Sequence, residues 1–371
     1  MNPQEVFCPN LDCHARGQVG KGNIGIHSHS EQRYICHECG KTFSATKGTL
    51  FYRLRTDPKI VMIVITLLAY GAPLQAIVKA FGFHERTVKN WWQRSGEHCR
   101  VVHEHVIASH TLDLQQVQAD EIKVKLKRGY VWMAMAMMVS TRLWLGGVVS
   151  SRRDLHLIQA LAQQIRRMAL ARELLLAVDG LSSYVKAFRR AFRTPFKGER
   201  GGRPRLVSWP NIAIVQVVKQ RKKGAFHIER RIVQGGWQMI RRLLQTTQGG
   251  GVINTAYIER LNATFRQRLA WLVRRSRQIA QKAETVEAGM FVVGCLYNLC
   301  ENHHSLRLKL SVGRRGYRWV QRTPAMAAGL TDHRWSVEEV LNFKVPPPRW
   351  QPPKRRGRPS KALLALIEAW T

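Results

Sequence analysis

Acidic residues are scarce in this sequence: 24 Asp and Glu stand against 60 Lys and Arg, which gives a formal net charge of +36 in 371 residues. A compact fold with such an excess repels itself unless a polyanion normally shares its surroundings. Solubility alone rarely calls for an imbalance of this size. The scarcity of acids therefore favours nucleic acid as a partner.

Long apolar runs and an even number of cysteines are missing as well. The apolar runs at 60–68 and 131–139 are shorter than the about 20 residues that span a bilayer. The first residues are polar and include Pro3 and Glu5, unlike a secretory signal. Seven cysteines are an odd number, which does not suit a disulfide framework. We expect a cytoplasmic protein without a membrane partner, and 45% apolar residues exclude a disordered chain.

Four of the cysteines form two short-spaced pairs near the N-terminus, Cys8 with Cys13 and Cys36 with Cys39. Two such pairs around a loop rich in Gly and Ser suit tetrahedral Zn²⁺. We expect residues 1–50 to be a zinc ribbon that folds with a structural metal, because the segment has little core of its own. Tyr34 and Phe43 flank the second pair and are expected to pack beneath it. The sequence leaves open whether His14 or His37 replaces a neighbouring thiolate.

Residues 51–110 carry the pattern of a helix-turn-helix domain. Pro58 suits the start of a first helix, and Gly82 suits the end of a second. In the third helix Val88 and either Trp91 or Trp92 would face the core. The outward side chains are then of the types that pair with phosphates and base edges in a major groove, namely Arg86, Lys89, Asn90 and Gln93. An ordinary helical subdomain with a solvated face is the alternative.

Residues 111–305 read as an α/β core. Three strand patterns come first, then a helix capped by Asp154, a fourth strand, a basic helix and a fifth strand; the strand patterns cover 117–126, 130–139, 143–149, 173–178 and 211–218. This is the order of an RNase H-like mixed sheet, with the first and fourth strands as parallel neighbours. The long basic stretch 194–251 is either an insertion that grips DNA or a solvated hairpin.

Three acids stand out by position within this core. Asp120 lies in the middle of the first strand, Asp179 ends the fourth, and Glu259 lies on a later helical pattern. Carboxylates are poor strand formers and costly to bury, so they need a reason to be there. Clustered acids repel unless cations neutralise them, and hard oxygen ligands suit Mg²⁺ or Mn²⁺. Glu121 leaves the first ligand open, because strand alternation lets only one of the two neighbours face the site.

Together these features resemble a bacterial insertion-sequence transposase of the DDE type. The matching motifs are the zinc ribbon, the helix-turn-helix, Gln118-Ala-Asp-Glu121, Val178-Asp-Gly180 and Tyr257-Ile-Glu-Arg-Leu-Asn262 with Arg266. The resemblance implies Asp120, Asp179 and Glu259 as the catalytic, magnesium-binding triad, with Asn262 and Arg266 in support. It also implies double-stranded DNA at element ends and target as the partner, a homo-oligomer on that DNA, and a prokaryotic, nucleoid-associated enzyme.

The remaining stretch, 306–371, is expected to be a basic C-terminal tail. It contains Arg356-Gly-Arg358-Pro, which resembles an AT-hook that would enter the minor groove; a nonspecific basic tail is the alternative. Two other functions remain open at this point. The chain could be a transposase-derived DNA-binding regulator without activity, or an RNase H-like nuclease that cuts DNA without strand transfer.

Overall fold

The computed structural model describes residues 1–198, 202–222, 225–273, 278–312, 316–352 and 360–370. They form two compact units. The first combines Met1–Gly48 with Pro346–Thr371, and the second is Thr49–Val345. No helix among the described residues is long and apolar enough to cross a membrane.

The first unit is built on a small antiparallel sheet. Its strands are β1 (Ile24–Ser28), β2 (Arg33–Cys36) and β3 (Thr42–Ser44), in that order. Beneath them lies a core of only a few side chains, among them Val6, Ala15 and Ile24. The rings of Tyr34 and Phe43 are both buried, with centroids 5.8 Å apart, which confirms their predicted contact. So small a core cannot hold a fold unaided.

Three helices open the second unit: α1 (Pro58–Ala69), α2 (Leu74–Phe81) and α3 (Glu85–His103). The Asp57 side chain accepts the Lys59 N–H at 2.8 Å and caps α1. Gly82 ends α2 at φ 68°, in the left-handed region. Val88, Trp91 and Trp92 of α3 are buried, so the predicted inward face is confirmed for both tryptophans.

Helix α3 is 19 residues long and continues well past the predicted recognition segment. Its Gly96 packs against α8 (Ala283–Leu299) so closely that a Cβ there would lie 2.3 Å from Ala288 Cα. One apolar cluster consequently runs from Leu50 through the sheet to Leu341. The helices that we expected as a separate domain, residues 51–110, share a continuous core with residues 111–305.

The central sheet has six strands in the order β11-β10-β7-β4-β5-β6. They are β4 (Gln116–Lys125), β5 (Tyr130–Met138), β6 (Trp144–Ser150), β7 (Leu174–Asp179), β10 (Ile212–Lys222) and β11 (Ala225–Gln234). β4 pairs antiparallel with β5, and β5 with β6. β7 lies parallel to both β4 and β10. The predicted parallel pairing of the first and fourth core strands is therefore confirmed.

Helices cover both faces of this sheet. α4 (Leu155–Met168) and α5 (Ser182–Ala191) lie on one face. α6 (Trp237–Gln248) buries Ile240, Leu243 and Leu244 on the other. α7 (Ala256–Arg268) follows and contacts β4 and β5. The stretch 194–251 thus contains two sheet strands and a covering helix, besides an exposed hairpin of β8 (Arg193–Phe196) and β9 (Arg205–Ser208).

The stretch that we expected as a basic tail divides between the two units. In the second unit it forms an exposed hairpin of β12 (Leu308–Val312) and β13 (Gly316–Val320), then α9 (Pro324–Ala327) and α10 (Val337–Asn342). In the first unit it forms α11 (Lys361–Trp370). Arg356 and Arg358 of the AT-hook-like motif lie outside the described residues.

Candidate functional site

The predicted acids meet at a cavity of about 740 Å³ at the end of β7. Asp120, Asp179 and Glu259 all line it, together with Asn262 and Arg266. The register explains why the two aspartates meet. Gln118 pairs with Ala177 in the parallel β4–β7 ladder, and each aspartate lies two residues further along its strand, hence on the same face.

Asp120 and Glu121 point to opposite faces of β4, as alternation requires. Asp120 shares its face with α7, where Asn262 Nδ2 donates to its Oδ2 at 2.8 Å. The side chain of Glu121 is only 1% exposed; its Oε2 accepts the Tyr184 hydroxyl at 2.6 Å, and its Oε1 accepts Arg153 Nε at 2.5 Å. The register therefore directs Asp120, rather than Glu121, into the cavity.

A metal ion could nevertheless reach Glu121. One carboxylate oxygen from each of Asp120, Glu121 and Asp179 lies within 4.8 Å of the others. Glu259 lines the same cavity, but its carboxylate is bound elsewhere: it forms an ion pair with Lys219 and accepts the Thr255 hydroxyl at 2.6 Å. The acidic cluster of this structure is thus Asp120–Glu121–Asp179, with Glu259 facing it across the cavity.

Gln118 positions the helix that carries Glu259. Its Oε1 accepts the backbone N–H groups of Tyr257 and Ile258, each at 3.0 Å, and its Nε2 donates to the Asn254 carbonyl at 2.8 Å. These are donors that a helix start leaves unsatisfied, and α7 has no side-chain cap at Thr255. A single buried glutamine two residues from Asp120 therefore docks α7 against β4.

Two cations that sequence reasoning missed neutralise the acids. Arg153, just before α4, forms ion pairs with Glu121 and with Asp179, the latter at 3.1 Å. Lys219 of β10 pairs with Glu259. Neither pairing follows from local sequence, because the partners lie far apart in the chain and meet only through sheet register and helix packing. No residue type or spacing near Arg153 or Lys219 marks them.

The electrostatics of the cavity suit a bound cation. Burial, reinforced by repulsion from Glu121, raises the pKa of Asp120 to about 7. Burial also raises the pKa of Glu121, against the opposing effect of its bonds to Tyr184 and Arg153. Asn262 Oδ1 is buried and has no partner among the described residues, so it can accept from a water or other ligand. Hard carboxylate oxygens with such an acceptor fit Mg²⁺ or Mn²⁺.

The raised pKa of Asp120 predicts that Asp120→Asn stabilises the metal-free protein. Because the folded-state pKa of about 7 exceeds the usual 3.8, the folded protein binds more protons between these values, and its stability falls as pH rises from about 4 to 7. An amide removes that penalty. We expect a gain of about 1–3 kcal/mol at pH 8 and little change at pH 4, measured by thermal unfolding of the zinc-loaded chain in buffer without Mg²⁺ or Mn²⁺.

Asp113→Asn is the matched control, since Asp113 is also half-buried but pairs with Arg172 at 3.2 Å away from the cavity. It should give no gain at pH 8. Added Mg²⁺ should raise the melting temperature of the unsubstituted protein and leave that of Asp120→Asn unchanged. A destabilised Asp120→Asn at pH 8 would contradict the assigned repulsion.

The four N-terminal cysteines form a second candidate metal site. Their sulfurs lie within 4.8 Å of one another, with 3.8 Å between Cys8 and Cys39 and between Cys13 and Cys36. Tetrahedral zinc with Zn–S bonds of about 2.3 Å sets sulfurs about 3.8 Å apart. The four thiols therefore have the geometry of a closed structural zinc site.

Hydrogen bonds reach Cys36 and Cys39, whereas burial raises the pKa of Cys8 and Cys13 above the usual value. Asn23 Nδ2 donates to Cys36 Sγ at 3.3 Å. Burial opposes ionisation of Cys39, but hydrogen bonds from the Lys41 N–H and from Asn10 lower its pKa to about 7. His14 and His37 are both exposed and stand outside the cysteine group; the His14 ring stacks on Trp350, with centroids 4.1 Å apart.

The predicted DNA-contacting side chains of α3 share its outer face. Arg86, Lys89 and Asn90 are exposed and Gln93 is half-buried. Lys89 pairs with Glu85 one turn earlier at 2.5 Å, which is a weak surface pair that a phosphate could replace. DNA contact by this face stays a prediction.

No protein-family model matches this sequence, and no curated protein is significantly similar to it.

Proposed function

We propose that this chain is a DDE-type transposase that binds the ends of its insertion sequence and catalyses metal-dependent DNA strand cleavage and strand transfer. The observation that carries the proposal is the single cavity lined by Asp120, Asp179 and Glu259. Three acids contributed by two parallel strands and a helix, in a chain of net charge +36, suit metal-assisted chemistry on a polyanion.

The sheet supports an RNase H-like core. Three antiparallel strands, β6, β5 and β4, continue into parallel β7 and β10, with helices on both faces. In this arrangement Asp120 and Asp179 lie on the two adjacent parallel strands, and α7 brings the third acid from outside the sheet. Open sheets of this kind bind ligands beyond the carboxyl ends of their strands.

Asp120 and Asp179 would hold Mg²⁺ or Mn²⁺, with Glu259 as the third acid once it leaves Lys219. Such ions, when bound, activate a water or 3′-hydroxyl and stabilise the leaving oxygen in an attack on phosphorus. Asn262 orients Asp120 through their 2.8 Å hydrogen bond. Arg153 and Lys219 pair with the acids in this structure and would become available to DNA phosphates if cations took their place, and Arg266 lines the same cavity.

DNA recognition would use separate surfaces. The outer face of α3 offers Arg86, Lys89, Asn90 and Gln93 to double-stranded DNA, and the zinc unit adds a metal-stabilised module. Arg356 and Arg358 would extend along a minor groove if the AT-hook resemblance holds. Because transposases bring two ends together, we propose a homo-oligomer on the DNA.

The test is an Mg²⁺-dependent assay with a labelled duplex carrying the DNA that flanks the coding region. Joined products are the expected result. Nicked products alone would indicate a nuclease, and bound but uncut DNA would indicate a regulator; either would overturn the transposase assignment. Inverted repeats on both sides of the coding region should supply the bound sequence.

A further inference from the structure

A second cavity, of about 720 Å³, opens next to the acidic one. It lies between the β4–β5 hairpin and residues 271–273 and 278–279. Arg266 lines both cavities, so the two are neighbours on either side of this side chain. The volume is in the range of sites for small organic groups, about 300–1,000 Å³.

Aromatic rings and lysines alternate on the floor of this cavity. The antiparallel register pairs Lys123 with Trp132 and Lys125 with Tyr130, so all four side chains project from one face. Both lysines are exposed, and Tyr130 is 49% exposed. The Lys123 ammonium lies 4.0 Å from the Tyr130 ring centroid and 5.8 Å from that of Trp132.

This combination has a specific chemical complement. A large aromatic ring left accessible at the end of a strand offers a flat surface for stacking, and adjacent lysines offer positive charge. A nucleotide carries both a flat base and a phosphate. A hydrophobic protein segment would leave the lysines unpaired, and a simple anion would leave the rings uncovered.

Trp132 also connects this cavity to the acids. The Arg153 guanidinium lies 5.0 Å from the Trp132 ring centroid, and the same guanidinium pairs with Glu121 and Asp179. Arg153 thus contacts both the Trp132 ring and the acids, and a strand bound at the acids could extend past it towards these rings. Glu121 also lines this second cavity, on the same face of β4 as Lys123 and Lys125.

We propose that this cavity binds one unpaired nucleotide of a DNA strand leaving the acidic cavity, with its base stacked on Trp132 or Tyr130 and its phosphate paired with Lys123 or Lys125. The inference rests on the proposed function for the identity of the strand. It assigns a step that the acids alone do not supply: the strand is held single and fixed beside the reacting phosphate.

The experiment measures binding of fluorescein-labelled dT12 to the full, zinc-loaded chain by anisotropy, in buffer without Mg²⁺ or Mn²⁺ so that no cleavage occurs. Trp132→Ala should weaken dT12 binding about 5- to 100-fold, the usual effect of removing one stacking ring. Trp132→Phe keeps a ring and should restore most of the affinity. Lys123→Gln should reduce the salt dependence of log K by about 0.7, the contribution of one phosphate contact to a single strand.

Trp319→Ala is the matched control. Trp319, on the β12–β13 hairpin, is an exposed tryptophan with a cation over its ring, Arg307 at 4.0 Å. The Trp319→Ala variant should bind dT12 as tightly as the unsubstituted chain. Unchanged binding in Trp132→Ala, or equal losses in Trp132→Ala and Trp319→Ala, would overturn the proposal.

Further comparisons distinguish a loss of the binding site from a loss of folding and from a loss of DNA cleavage. If Trp132→Ala lowers the melting temperature, the other two variants test the site instead. Retained dT12 binding in Trp132→Phe together with a reduced salt dependence in Lys123→Gln supports the site. An unchanged salt dependence in Lys123→Gln overturns it. Because the assay contains no Mg²⁺ or Mn²⁺, a chain that never cleaves DNA can still pass it. Conversely, if the chain joins DNA ends but Trp132→Ala binds dT12 normally, the proposed function stands and only the nucleotide site in this cavity is refuted.

Discussion

Asp179→Asn is expected to lower DNA strand cleavage by at least about 10²–10³-fold, the effect of removing one group that stabilises charge in a transition state. The substitution keeps the shape of the side chain. Its remaining oxygen can still accept the Leu181 N–H, now bonded at 2.9 Å, while the pair with Arg153 is lost. Since the Asp179 side chain is 35% exposed, we expect a small change in stability and unchanged binding to the labelled duplex.

Two further variants in the same assay identify the third acid. Glu259→Gln should lose cleavage as completely as Asp179→Asn, because the proposal makes Glu259 a metal ligand. Glu121→Gln is the informative comparison, since Glu121 lies closer to the aspartates but on the other face of β4 and bonded to Tyr184. A complete loss in Glu121→Gln with normal cleavage in Glu259→Gln would reassign the third ligand. Undiminished cleavage in Asp179→Asn would refute the site.

The chain order of the first five sheet strands could be predicted from local pattern, and the meeting of Asp120 with Asp179 from the RNase H-like arrangement that this order suggests; the edge strand β11 was not predicted. Apolar runs bounded by Gly and Asp mark β4 to β7, and parallel neighbours bring their carboxyl ends to one edge. Helix α6 was hidden from the same reasoning. Its buried Ile240 and Leu243 lie within a strongly basic stretch, where composition favoured an insertion or a solvated hairpin over a helix covering the sheet.

The sequence favours Asp120 over Glu121 only through the family resemblance, and the structure shows that Asp120 is the one that lines the cavity. Strand alternation places Asp120 and Glu121 on opposite faces of β4. Only the pairing of β4 with β7 shows which of these faces also carries Asp179. The pairing of Glu259 with Lys219 was equally inaccessible, because it depends on where α7 lies relative to β10. The sequence therefore predicts which acidic residues lie near the site. Tertiary packing determines which ion pairs they form in the metal-free protein.

Removing zinc is expected to unfold the first unit while the second keeps its structure. Cys36→Ser takes one thiolate from the cluster and also the acceptor for Asn23. The buried apolar side chains around β1–β3 are few, whereas metal binding supplies on the order of 10 kcal/mol to such a module. Residues 49–345 have a large core of their own. We expect native mass spectrometry to show one zinc per chain in the unsubstituted protein and none in Cys36→Ser.

Amide hydrogen exchange then shows which strands unfold in Cys36→Ser. Amides of β1 to β3 should lose protection in Cys36→Ser, and those of β4 and β7 should keep it. Cys300→Ser is the matched control, because Cys300 is a half-buried thiol outside the cysteine cluster; it should keep both the zinc and the protection. Zinc retained by Cys36→Ser, or a zinc-free unsubstituted chain with protected β1 to β3, would show that this unit folds by packing alone, against what so small a core can support.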